Sequence, residues 1–147
     1  MKYSNIFLFV VLLVVAGCST TPVKFSDSKP VPNKRVYDAF TKYSTPSKSG
    51  SKVVIVRDSG AMGSAGSASL FVNGEIVAHL DTSESIVINV DLGDNLFGLA
   101  PGAKLSFEPD NVELIEQALL VTENKTYYYR ITIDANKGLI LQRSSQI

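Results

Sequence analysis

The sequence predicts an all-β fold, an antiparallel β-sandwich of about seven or eight strands preceded by a short helix and a flexible tether. Three observations carry that prediction. From Lys52 onward the apolar residues recur with period two, and β-branched and aromatic types dominate. Asn73-Gly74 separates two such runs, and Asn-Gly between alternating segments is the strongest short-range hairpin signal because both turn residues must take positive φ. The runs are joined by short turns with no helical stretch between them, a pattern of sandwiches and barrels.

The chain opens Met1-Lys2 and then carries eleven apolar residues from Ile6 to Ala16. A spanning helix needs about 20, so the run is too short to cross a bilayer. A short charged start, an apolar run and small residues describe a secretory signal peptide. It closes on Val15-Ala16-Gly17-Cys18, and Cys18 is the only cysteine. These four residues resemble a complete bacterial lipobox. The resemblance implies cleavage between Gly17 and Cys18, removal of residues 1–17, and two or three acyl chains on Cys18. One chain holds only marginally, whereas two or three make release negligible. The lipid bilayer is then a partner through acylated Cys18, and no thiol remains for a disulfide. Ser19 stands where aspartate would signal inner-membrane retention in enteric-type bacteria, which implies an outer-membrane lipoprotein facing the periplasm.

Residues 18–34 read as the lipidated N-terminus and a tether, because Pro22, Pro30 and Pro32 oppose regular structure among Thr, Ser and Lys. Sixteen flexible residues span roughly 20–24 Å on average and about 50 Å when taut. Formal charge over the whole chain is zero, but it is divided. Seven basic residues face two acidic ones from Ser19 to Lys52, while six basic face twelve acidic from Val53 onward. A basic stalk would thus carry an acidic domain. Residues 35–147 suffice for one domain with a core.

Val36, Ala39, Phe40 and Tyr43 fall at i, i+3, i+4 and i+7, predicting a short amphipathic helix over Arg35 to Tyr43 that Pro46 ends. Strands are predicted at Lys52–Arg57, Ala68–Val72, Glu75–Leu80, Ser85–Leu92, Lys104–Glu108, the second half of Glu113–Val121, Thr126–Asp134 and Leu139–Arg143. Asp58-Ser59-Gly60, Pro101-Gly102, Pro109-Asp110-Asn111 and Asn136-Lys137-Gly138 supply turns.

Val54-Ile55-Val56-Arg57, Leu70-Phe71-Val72-Asn73-Gly74, Leu99-Ala100-Pro101-Gly102 and Lys125-Thr126-Tyr127-Tyr128-Tyr129-Arg130 together resemble a family of small bacterial lipoproteins. Their single uncharacterised domain is a PEGA-like or transthyretin-like β-sandwich. Asn124 departs from the glycine common before Lys-Thr, and Asp91 to Leu99 is longer than usual. The family has no established activity, so the resemblance implies a fold and carries over no catalytic residue.

His79 is the sole histidine. A Ser59–His79–Asp81 hydrolase is the alternative reading, but Asp81 sits two residues along the same strand and Gly63-Ser64-Ala65-Gly66 lacks a nucleophile elbow. One histidine without free cysteine makes no zinc site, and Asp91, Asp94 and Asn95 lack the ligand pattern of a calcium loop. No cofactor or metal is implied.

Two binding candidates are left. Ser59, Gly60, Gly63 and Gly66 form a small-residue connection able to admit a partner's backbone, and Tyr127, Tyr128 and Tyr129 alternate faces on one strand. The acidic domain and the envelope compartment exclude nucleic acid. The sequence reads as a non-catalytic binding or structural module of the cell envelope, with an envelope protein or peptidoglycan as partner.

Overall fold

Nine strands in two facing sheets form the sandwich in the computed structural model, which describes residues 20–60, 66–102 and 114–145. They are β1 (Lys29–Pro30), β2 (Ser51–Arg57), β3 (Ser67–Val72), β4 (Glu75–Leu80), β5 (Glu84–Val90), β6 (Gly93–Gly102), β7 (Ile115–Val121), β8 (Thr126–Asp134) and β9 (Gly138–Ser144). One sheet runs β1-β5-β2-β8-β9 and the other β4-β3-β6-β7. All pairings are antiparallel except β1 with β5 and β2 with β8. The parallel β2–β8 pair makes the architecture mixed rather than purely antiparallel. Between those two strands the chain visits the second sheet and returns, the long excursion that a parallel neighbour requires.

Period two builds the core as expected. Val53 and Ile55 of β2, Ile86 and Ile88 of β5, and Tyr129 and Ile131 of β8 turn inward from the first sheet. Leu70, Val72, Phe97 and Leu99 meet them from the second. Each such large side chain contributes about 1.5–3 kcal/mol on burial. At the β3–β4 hairpin Asn73 and Gly74 take φ of 51° and 81°, the two positive values that the turn demands. Val77 is an extra residue in the β4 register and produces a bulge opposite Leu70 and Phe71.

The stretch from Asp91 to Leu99, longer than usual for the family it resembles and given no strand beyond Leu92, is mostly the ten-residue strand β6, which continues through Pro101-Gly102. Pro101 faces Ala68 of β3, and among the described residues β7 pairs with β6 over Gly93 to Leu99. The expected strand Lys104–Glu108 and turn at Pro109-Asp110-Asn111 lie outside the described residues, as do Cys18 and residues 1–17, expected as a signal peptide.

The N-terminal segment departs most from expectation. Residues 20–34 are docked on the sandwich rather than forming a flexible tether. Thr20 shares a hydroxyl hydrogen bond with Thr132, Thr21 bridges Ser59, and β1 lies beside Glu84 and Ser85. Val31 is buried in the core.

The predicted helix is also replaced. Asn33–Arg35 and Asp38–Phe40 form 3-10 turns, and only Thr41–Ser44 (α1) is α-helical. Val36 between them is extended and bridges Ala78, which breaks any continuous helix. The apolar stripe keeps its destination, since Val36, Ala39, Phe40 and Tyr43 all pack on the core. No helix among the described residues is long and apolar enough to cross a membrane.

Candidate functional site

Docking of the N-terminal segment creates the first concavity. A groove of about 600 Å³ opens between that segment and β5, with Pro30, Val31, Val36, Tyr37, Phe40 and Ile86 in its walls. Phe25 and Tyr37 at its border stay 39% and 40% exposed.

Basic residues of this segment are held by acidic ones of the sandwich. Arg35 bonds Asp81 at 2.8 Å and also pairs with Glu84, while Lys42 reaches both Glu75 oxygens at 2.6 and 2.7 Å. The charge division in the sequence is thus partly neutralised within the fold. Beneath the segment, the buried Asp58 carboxylate pairs with Arg130 and accepts the Val23 N–H at 3.4 Å. Arg57 donates to the Leu80 carbonyl.

His79 is not brought to Ser59. Its Nε2 lies 2.6 Å from the Tyr37 hydroxyl and its Nδ1 2.9 Å from Ser69 Oγ, with the Tyr37 ring set edge-on at 83°. Burial lowers the His79 pKa below its usual 6.5; the neighbouring Arg35 lowers it further, and Asp81 opposes both. Asp81 is itself turned to Arg35, and Ser59 is paired with Thr21, so the sequence-based triad is dispersed. Ser69 was missed because it belongs to the neighbouring strand, where only the register Ser69↔His79 puts the two together.

The glycine-rich connection is described only at its ends. Ser59 is engaged by Thr21, Gly60 takes φ of 133°, and a Cβ at Gly66 would meet the Gly102 carbonyl at 3.3 Å. Gly63 lies outside the described residues.

The tyrosines divide by face. Tyr127 and Tyr129 share the inward face, as their alternation implies, and are 6% and 3% exposed, so neither ring is open to a partner. Burial raises the Tyr129 phenol. Tyr127 receives the Thr122 N–H on its hydroxyl at 3.0 Å, and the Arg143 guanidinium sits 5.5 Å from its ring centre. Tyr128 alone is directed to the other face, half-buried.

At this end of β8 two open hollows, of about 320 and 580 Å³, share Thr126. Lys52, Asn89, Asn124 and Lys125 border the first; Tyr128 and Arg143 border the second. Lys52, Lys125 and Arg143 went unnoticed in the sequence because they belong to three separate elements brought together by the parallel β2–β8 register and by β9. Among the described residues no cluster of His, Cys, Asp or Glu is arranged to hold a metal. Asn95 is buried and bonds the Asp91 and Gly93 carbonyls at 3.0 and 3.3 Å, a turn-stabilising role.

These features define an all-β sandwich domain with its own N-terminal segment strapped across one side. No family model matches the chain, and neither curated proteins nor solved structures provide a match.

Proposed function

We propose that the protein is a lipid-anchored, non-catalytic module of the bacterial cell envelope, sorted to the outer membrane by Ser19 and facing the periplasm. The observation that carries this reading is the complete Val15-Ala16-Gly17-Cys18 lipobox, followed two residues later by a chain docked at one pole of the sandwich. The three peptide steps from Cys18 to Thr21 reach at most about 11 Å. An acylated Cys18 therefore holds that pole close to the bilayer and gives the domain a fixed orientation, where a free tether of about 50 Å would not. The resemblance to small bacterial lipoproteins of the PEGA-like type belongs to the same proposal.

The rival reading, a periplasmic hydrolase using His79, needs an accessible nucleophile. The serine on His79 is Ser69, which is 5% exposed, and Ser59 is taken up by Thr21. The binding reading is therefore preferred. In the test, Cys18→Ala is expressed in a Gram-negative host and membranes are separated from the soluble fraction. The variant is expected in the soluble fraction, and its continued retention in membranes overturns the proposal.

A further inference from the structure

We infer that the pole opposite the anchor carries a binding site for a carboxylate-bearing glycopeptide polymer of the envelope. This rests on the anchored orientation proposed above. Thr20 docks at Thr132, and the two hollows meet at Thr126, six residues along the same strand. At about 3.3 Å per residue the hollows lie about 20 Å from the docked N-terminus, on the side turned away from the bilayer.

The chemistry of the site selects the ligand. Lys52, Lys125 and Arg143 border the hollows and, among the described residues, have no ion-pair partner and share the lining with no carboxylate. Glu123 is the acidic neighbour in the adjoining turn. Arg143 is held over the Tyr127 ring, which presets the planar guanidinium for bidentate capture of a carboxylate. The side-chain amide of Asn124 and the half-buried ring of Tyr128 add a hydrogen-bonding group and a flat surface of the kind sugars and peptide amides occupy. Two contiguous open hollows suit a chain-like ligand lying across both rather than a small molecule enclosed in one. In the periplasm, peptidoglycan is the polymer with this chemistry.

The test uses the full-length protein in detergent and purified peptidoglycan sacculi in a pelleting assay at low salt. The unmodified protein is expected to pellet with sacculi, and Lys52→Glu/Lys125→Glu and Arg143→Glu each to lower the bound fraction at least tenfold. Carbodiimide amidation of the sacculus carboxyls is expected to abolish binding of the unmodified protein. Lys29→Glu/Lys34→Glu, which reverses as much charge near the docked N-terminus, is expected to leave binding unchanged. Circular dichroism confirms that each variant is folded, and Lys125→Gln replaces any that is not. The inference is overturned if the unmodified protein does not pellet, if amidated sacculi bind equally, or if the two double variants behave alike. It is also overturned if the distal variants lose binding to phosphatidylglycerol vesicles rather than to sacculi. Because acylation of Cys18 is scored separately by membrane fractionation, failure of the anchor and failure of this site give different results.

Discussion

Thr21 and Ser59 are joined backbone to backbone across 38 residues of chain: the Thr21 N–H donates to the Ser59 carbonyl at 2.7 Å, and the Ser59 N–H returns to the Thr21 carbonyl at 3.0 Å. This reciprocal pair marks where the N-terminal segment joins the sandwich. From it the chain passes over the Asp58–Arg130 ion pair, reaches β5 at Lys29, and leaves Val31 in the core. A segment of prolines, serines and lysines is thereby part of the fold.

Arg35 is the main electrostatic clasp of that segment. It joins Asp81 and Glu84 and donates to the His79 carbonyl at 3.4 Å, and the Glu84 side chain is only 10% exposed. Arg35→Ala removes the cation bonded to that poorly solvated carboxylate, at a cost of about 1–3 kcal/mol, with Arg57 the charge left nearby. The Lys42–Glu75 pair is far more exposed, so Lys42→Ala should change stability little. Urea denaturation of both variants checks the ranking, and equal effects would contradict it. Limited tryptic proteolysis should also cut Arg35→Ala faster after Lys24 than the unmodified protein.

The strands were legible because a half-buried sheet imposes period two on side chains, and Thr126 to Asp134 shows it without interruption. The strap was not, because backbone hydrogen bonds hold Thr21 and Lys29, and these bonds leave no trace in residue type. Strand β6 was hidden for a different reason. Gly98 and Ala100 occupy its second face: a Cβ at Gly98 would lie 3.2 Å from the Phe71 Cβ, and Ala100 is itself 1% exposed. That face reads as small residues rather than as a polar alternation. The Val36 to Tyr43 stripe announced burial correctly but not conformation, since Val36 takes a strand-like bridge to Ala78. The partners of His79 come from positions 10 and 42 residues away, beyond any local pattern.

Gly50 is required by close approach at the entry to β2. A Cβ there would sit 2.5 Å from the Val90 carbonyl oxygen and 3.1 Å from the Ser47 Cβ. The carbonyl belongs to the residue opposite Ser51 in the β2–β5 register, so it has little freedom to retreat. Gly50→Ala should destabilise by about 1–3 kcal/mol through overpacking. Gly74→Ala meets nothing within 4 Å and is strained only by its positive φ, worth about 1 kcal/mol. Thermal melts of the two variants should therefore rank Gly50→Ala as the less stable, and the opposite order would locate the strain elsewhere.

His79 gives the fold a pH dependence that can be isolated, since no other histidine is present. Its imidazole ionises below the usual 6.5, first because burial penalises the cation and then because Arg35 repels it. The unfolded chain consequently takes up a proton at a higher pH than the folded one. The stability contributed by neutral His79 is complete above a pH of about 6.5 and is lost as pH falls through the window below it, levelling off once the folded imidazole is protonated too. Urea midpoints measured between pH of about 7.5 and 5.5 should fall with acidification, by an amount set by at most one proton. In His79→Gln the same series should be flat, because the carboxylates ordinarily titrate lower, near 4. A slope that survives the substitution would assign the proton to another group. A midpoint that rises on acidification would mean that the Tyr37 and Ser69 hydroxyls stabilise the imidazolium more than burial opposes it.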